Sequence, residues 1–347
     1  MSFNTDKLLF TKHLAIMLKA GIPIAEAIET VSDQSANSGF KKILTSIYKD
    51  VSEGRTLQTA LSRYPKVFDA IYINLVRTGE ESGDLDESLK FLTEQLERDG
   101  KFRQKVIAAS MYPSIVLITA FIVSAQISLY VLPKLTDLFQ SMDVDLPITT
   151  KILLWFADLM KYHGYEIFGG IFALGVLFRL ALLNKKIRYA WQSLILKLPT
   201  IGNFNRNIEM AIICRNIGTM LRSGVPIAKT LDTLSLSTSN LIFRDYLRDL
   251  LKSVTMGTTF SSELRNKKYK YIPKIAVKMI GVGEKTGKLD ESFIYLGDYF
   301  EDEVDNLMKN LSTILEPALL LVIGFFVAFL ALAIITPIYQ FTGSIHN

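Results

Sequence analysis

Gly79-Glu-Glu-Ser-Gly-Asp-Leu-Asp-Glu-Ser88 returns as Gly283-Glu-Lys-Thr-Gly-Lys-Leu-Asp-Glu-Ser292, 204 residues further along the chain. Leu18-Lys-Ala-Gly-Ile-Pro-Ile-Ala25 likewise returns as Leu221-Arg-Ser-Gly-Val-Pro-Ile-Ala228, here 203 residues later. Pro113 and Pro317, then Pro133 and Pro337, keep the offset of 204. Landmarks in one order at one offset mark a duplicated unit, and a single inserted residue accounts for the step from 203 to 204. Each unit comprises a domain and an apolar stretch bounded by two of those prolines.

Inside a unit the apolar residues follow the helical period. Phe10, Leu14, Met17 and Gly21 share a face, as do Leu85, Leu89, Leu92 and Leu96, whose counterparts are Leu289, Phe293, Leu296 and Phe300. Gly21-Ile-Pro23 suits a helix end followed by a helix start, because Gly accepts the left-handed closing conformation and Pro the first turn. No stretch alternates with period two, so strands are not expected. The sequence predicts an all-α protein with two homologous bundles of about six short helices each.

The rest of the chain is apolar. Of its 347 residues 49% are hydrophobic and 21% charged, with a mean hydropathy of +0.27. Tyr112–Leu132 and Pro317–Phe341 contain no Lys, Arg, Asp or Glu, and Ile167–Leu183 is interrupted only by Arg179. About 20 such residues cross a hydrocarbon core, so three transmembrane helices are predicted. Arg98, Lys101, Arg103 and Lys105 precede the first stretch, and Lys185, Lys186 and Arg188 follow the second. Basic flanks favour the cytoplasmic side. The predicted layout is a cytoplasmic bundle (1–108), a first span (109–133), an extracytoplasmic loop (134–165) and a second span (166–183). A second cytoplasmic bundle (184–312), a third span (313–341) and an extracytoplasmic tail (342–347) complete a polytopic protein of the cell's inner membrane. The opening residues carry no basic segment before a short apolar core, so no cleaved signal peptide is expected. The basic balance, net charge +5, is explained by residues facing anionic lipid, and nucleic acid is not expected as a partner.

Chemistry is sparse. Cys214 is the only cysteine, which excludes an intramolecular disulfide or a cysteine metal cluster and suits a small buried residue. His13, His163 and His346 are far apart and none has a second His at ligand spacing. Gly281-Val-Gly-Glu-Lys-Thr-Gly-Lys288 fails as a phosphate-binding loop, since Val282 stands where a Gly is needed and Leu289 where Ser or Thr would hold magnesium. No catalytic residue is assigned and no enzyme is predicted. Gly79, Glu80, Gly83, Gly283, Glu284 and Gly287 break one helix and start another, with acids in the new first turn complementing the helix dipole. An exposed Glu on that turn would also be free to contact a partner. Glu26, Glu80 and Asp84 would offer calcium three carboxylates if the helix after Gly21 packs beside the Gly79 turn, and form a solvated acidic edge otherwise. The copy-two positions hold Lys229, Glu284 and Lys288. No cofactor is assigned beyond that candidate. Glu316, just before Pro317, sits at the edge of the third span, where a carboxylate faces either the interface or a helix partner.

The paired Gly-x-Pro-Ile and Gly-Glu-x-Ser/Thr-Gly-x-Leu-Asp-Glu motifs, each followed by a span headed by Pro113 or Pro317, resemble the GspF/PilC-type platform proteins of type IV pilus and type II secretion machines. The likeness runs from about Phe10 to Phe341. It implies a scaffold without catalytic residues that recruits a hexameric assembly ATPase and couples it to insertion of pilin subunits into a filament. It also implies contact with other inner-membrane pilus components, assembly as a homo-oligomer, often a dimer, and in some members calcium at the turn matching Glu26, Glu80 and Asp84. Larger secretion-type members carry a long N-terminal extension, so the early start of the first domain favours a pilus or competence system. A transporter or channel subunit is the alternative from another class, but Gln126 is the only strongly polar side chain in the first span. A membrane aspartic peptidase would need paired intramembrane Asp residues, and Asp137 and Asp158 fall in the outer loop.

Overall fold

The computed structural model describes residues 3–126 and 148–344, some of those in and around the apolar stretches by their backbone alone. Every regular element among the described residues is a helix. Copy one supplies α1 (Phe3–Lys19), α2 (Ile24–Gln34), α3 (Ser38–Ser52), α4 (Leu57–Ser62), α5 (Ala70–Ser82) and α6 (Leu85–Gln126). Two linking helices follow, α7 (Ile148–Ala181) and α8 (Lys185–Lys197). Copy two repeats the series as α9 (Ile201–Arg222), α10 (Ile227–Ser237), α11 (Leu241–Thr255), α12 (Phe260–Lys267), α13 (Lys274–Thr286) and α14 (Leu289–Ser344). The all-α reading and the internal repeat hold helix by helix.

The same residues start and stop the helices in both copies. After α1 the Gly21 N–H bonds Leu18 O at 2.9 Å and Ile22 N–H bonds Met17 O at 3.0 Å; after α9 Gly224 and Val225 do the same to Leu221 and Met220 at 2.9 Å each. Gly21 and Gly224 have φ of 82° and 80°, the left-handed closure such an end requires. Asn37 accepts from Gly39 and Phe40 N–H to start α3, and Asn240 accepts from Ile242 N–H to start α11. The extra residue of copy two falls near α12, which has 8 residues against 6 in α4 and closes on Lys268 at φ 43°.

Each copy has its own aromatic centre. In copy one Phe10 meets Phe40 and Phe68 edge-on, with ring centroids 6.2 and 6.0 Å apart; in copy two Phe260 meets Phe293 at 5.6 Å. The centres have diverged in matched pairs: the buried Thr11 hydroxyl lies 2.9 Å from the Tyr72 hydroxyl, and Cys214 and Ala276 stand at the equivalent places. Burial pushes the Cys214 thiol up, so it packs as an apolar group.

The described residues fall into two compact units. One joins both copies, taking residues up to Gln104 together with Tyr189–Asp305. Within it Met220 and Val225, from the end of α9, complete the buried core of copy one. The other unit holds the chain from Lys105 to Arg188 and from Asn306 onward. Many of its large apolar side chains are exposed, among them Trp155, Phe172, Leu174, Leu321 and Phe325. Among the described residues no helix is long and apolar enough to cross a membrane; each of the three apolar stretches includes positions whose side chains, or whole residues, lie outside them. The backbone of α6 continues through Pro113, and that of α14 through Pro317 and Pro337. Pro133 lies outside the described residues, as do the side chains of Pro113, Glu316 and Pro337, while Pro317 is exposed.

Candidate functional site

The repeated motif forms the junction where α5 turns into α6 and where α13 turns into α14. Its first residue is buried in both copies. A Cβ built on Gly79 would stand 2.6 Å from Ser88 Cβ and 3.1 Å from Leu85 Cα; one built on Gly283 would stand 2.7 Å from Ser292 Cβ and 2.9 Å from Lys288 O. Only glycine lets the outgoing helix cross that closely. Gly83 and Gly287, at φ 82° and 71°, end the incoming helix in the left-handed conformation that L-residues avoid. Asp86 and Glu87, then Asp290 and Glu291, fill the new first turn, where carboxylates complement the dipole.

Glu80 and Glu284 do something the motif does not advertise. The N–H groups of Leu57 and Gln58 donate to the two oxygens of Glu80 at 2.5 and 2.8 Å. Those of Phe260 and Ser261 donate to Glu284 at 2.6 and 2.9 Å. Each carboxylate therefore caps a short helix, α4 or α12, that begins 23 or 24 residues earlier in the chain. The first turn of a helix leaves its N–H groups without intrahelical partners, and here three of the four belong to residues with buried side chains, Leu57, Phe260 and Ser261.

The chain supplies its own control on which motif positions matter to the fold. Gly79/Gly283, Glu80/Glu284, Gly83/Gly287, Leu85/Leu289 and Ser88/Ser292 are identical between copies and each has a packing, capping or backbone role; Asp86/Asp290 and Glu87/Glu291 are identical too, in the first turn of the outgoing helix. The exchanged pairs, Glu81/Lys285, Ser82/Thr286 and Asp84/Lys288, are exposed. The glycines and the Glu80/Glu284 carboxylates expected to meet a partner thus serve the junction, and the outward surface is shared by the exchanged residues and the exposed, identical Glu87/Glu291.

Glu26 and Asp84 are exposed on α2 and on the turn after Gly83, while both oxygens of Glu80 face amides. Among the described residues no group of three His, Cys, Asp or Glu side chains is placed to hold a metal ion. A buried carboxylate that sequence reasoning passed over is Asp50, which is bonded by Arg55 at 2.8 Å and by Arg63 at 2.6 Å; copy two has Ser253 there.

Side chains of both copies line a cavity of about 320 Å³, among them Asp69, Gln95, Asp99, Glu209 and Asn216. Burial pushes Glu209 up to about 7. Burial also pushes Asp99 up to about 6, against the opposing pull of Arg215 and of the Gln95 amide. Asp99 is itself exposed to solvent, which weakens that push, so Glu209, only partly exposed, is the more firmly shifted of the two. Gln95 ties the copies together, donating to Asn216 Oδ1 at 3.1 Å and accepting from the Thr219 hydroxyl at 2.9 Å.

A duplicated helical bundle whose shared motif builds an interhelical junction, once in each copy, defines the class. The chain belongs to the family of type II secretion system protein F, whose sequence profile matches residues 10–133 and 213–337, one segment in each copy. It is 32% identical over 336 residues to the type IV pilus assembly protein PilC of Pseudomonas aeruginosa, covering 96% of this chain and 89% of that protein. It is also 32% identical over 340 residues to PilC of Myxococcus xanthus, covering 98% and 81%. Type II secretion system protein F of Aeromonas hydrophila is 28% identical over 343 residues, 99% of this chain and 88% of that protein. The chain is a GspF/PilC-type protein of the type IV pilus and type II secretion systems.

Proposed function

We propose that this chain is the membrane-embedded platform of a type IV pilus or closely related machine, acting without catalysis of its own. The family match to both copies, together with the pilus-assembly names of PilC relatives aligned over nearly the whole chain, carries the reading. In this reading the two bundles lie in the cytoplasm and recruit the assembly ATPase, and the spans at 109–133, 166–183 and 313–341 hold the protein in the inner membrane. The apolar side chains exposed on the second unit support a lipid environment, because soluble proteins rarely leave large apolar patches in water. The exposed exchanged residues Glu81, Asp84, Lys285 and Lys288 are the better candidates for partner contacts, since Glu80 and Glu284 are held by amides. Opposite charges at equivalent places would let each copy present a distinct face to the ATPase and to the other inner-membrane components. Motion would reach the membrane and the pilin through α6 and α14, each continuous from the motif into its apolar stretch.

The full-length protein in detergent, mixed with the assembly ATPase encoded beside it, tests this reading. Saturable co-purification that weakens when Glu81 and Asp84, or Lys285 and Lys288, are charge-reversed is the expected result. Absence of binding by a folded chain would refute ATPase recruitment. Reporter fusions placing the ends of 134–165 in the cytoplasm would refute the topology.

A further inference from the structure

The duplication gives the molecule two of each bundle surface, yet the contacts between the copies use one of each. The packing runs from α5 and α6 of copy one to α9 and α10 of copy two, with one exposed ion pair, Arg98–Asp298, reaching α14. Asn74 Nδ2 donates to the Thr233 hydroxyl at 3.0 Å, Gln95 bonds Asn216 and Thr219, and the Arg222 guanidinium lies 5.8 Å from the centre of the Phe91 ring. One kind of surface meets a different kind, which makes the contact heterologous and leaves its two counterparts unmatched. The counterpart of the first surface is α13 with the start of α14, where Lys278 replaces Asn74 and Tyr295 replaces Phe91. The counterpart of the second is α1 with α2, where Thr30 replaces Thr233, Lys19 replaces Arg222, and Met17 and Ile22 replace Met220 and Val225.

Exposure follows that division. Thr233, Met220 and Val225 are buried, whereas Thr30, Met17 and Ile22 are only partly covered and Ile16 is 59% exposed. On the other side Ile275, Val282 and Tyr295 are exposed, the last at 58%. Charge has diverged in a matching way. α13 borders a groove of about 1030 Å³ whose lining includes Arg265, Lys270, Lys274, Lys278 and Lys285. Thr30 sits among exposed Glu26, Glu29 and Asp33 on α2. Transposing the Asn74–Thr233 contact sets Lys278 against Thr30 and inside that acidic cluster.

We propose that the basic face of α13 in one chain docks on the acidic face of α1 and α2 in a second copy of this chain, repeating between chains the contact that joins the copies within one. It deepens the platform reading by naming how platforms meet, and rests on it only in that both bundles must share one side of the membrane. One contact transposes badly: the exposed Arg98–Asp298 pair becomes Asp302 opposite Glu94. Exposed pairs contribute little, so this slackens the contact without forbidding it.

The test uses two differently tagged full-length chains in one membrane, one carrying Thr30→Cys and the other Lys278→Cys, with buried Cys214 left in place. Mild oxidation should join the two tags, while chains carrying the same cysteine should not join each other. A chain with Asn74→Cys and Thr233→Cys, which should close internally, reports that the fold and the oxidation are intact. Lys278→Glu should weaken self-association at least tenfold, Glu29→Lys in the same chain should restore it, and Asp302→Arg should tighten it. The proposal is overturned if the internal control closes and the mixed tags stay apart, or if like cysteines join. It is also overturned if Lys278→Glu abolishes binding to anionic vesicles or to an acidic protein and leaves self-association unchanged. A cross-link in a chain that fails to hold the ATPase would overturn the platform reading alone.

Discussion

Glu80→Ala removes both acceptors from the start of α4. Charge-assisted hydrogen bonds contribute about 1.5–3 kcal/mol each before compensation, and replacing an N-cap by Ala typically costs about 0.5–2 kcal/mol. The Thr56 hydroxyl still accepts from Thr59 N–H, and the freed amides regain some water, so a loss of about 2–3 kcal/mol is expected. Local opening of α4 should then speed hydrogen exchange at the Leu57 and Gln58 amides by roughly 30- to 150-fold, at about 1.4 kcal/mol per decade. Glu80→Gln keeps one strong acceptor and should show about half that free-energy change. Glu284→Ala should do the same to Phe260 and Ser261, with α4 unaffected. Hydrogen exchange of the full-length protein read by mass spectrometry is the assay. Unchanged exchange at Leu57 and Gln58 in Glu80→Ala would refute the cap. If ATPase binding were then lost as well, Glu80 would be a contact residue after all.

Gly79→Ala should destabilise copy one by about 1–3 kcal/mol, because the new methyl meets Ser88 and Leu85 at close range; Ser88→Gly in the same chain should recover most of it. Asp50→Asn should cost about 1–2 kcal/mol in a denaturant titration, below the range for a fully buried pair because Arg55 and Arg63 are about half exposed and turn to water. Serine at the same point of copy two predicts no such sensitivity there. Glu209 binds its proton more tightly in the folded chain than its ordinary value of 4.5. Its stabilising effect is therefore complete below about 4.5 and is lost as the pH rises through about 7. The thermal midpoint should fall between pH 5 and pH 8, and Glu209→Gln should flatten that slope; an equal slope in the variant would refute the assignment.

How much of this was legible depends on the range of the interaction. Gly21, Gly83 and their copies announced helix ends because a left-handed residue is a local requirement, and the Leu89, Leu92, Leu96 stripe announced a helix because its period is local too. Leu89 and Leu92 are buried as that pattern requires, but Leu96 is only partly covered. The capping by Glu80 was not legible: its partners are the N–H groups of Leu57 and Gln58, and a backbone amide leaves no mark on the sequence. Reading Glu80 as exposed followed from its place on a turn, where acids are usually solvated. Nor did the sequence disclose that the copies share a unit, since Gln95, Asn216 and Thr219 are unremarkable polar residues until a third dimension sets them within bonding distance.

The duplication itself offers a way past that limit. Two copies folded alike retain the residues that geometry demands, so comparing Gly79–Ser88 with Gly283–Ser292 sets every junction residue among the identical positions, beside the exposed Glu87/Glu291, and every exchanged position on the surface, without any other protein. By that comparison Glu80 and Glu284 already belonged with the glycines, as identical residues, and not with Glu81/Lys285. The same comparison locates the divergence of charge on α2 and α13, because Glu26/Lys229 and Asn74/Lys278 differ in charge and Asn74 itself packs against Thr233, on the helix that carries Lys229. The internal copy-to-copy contact sets neutral pairs such as Asn74–Thr233 and Gln95–Asn216 beside the charged Arg98–Asp298 and Arg222–Phe91 contacts, whereas the two surfaces left over carry opposite charges on α2 and α13, and that asymmetry is what the proposed chain-to-chain contact would use.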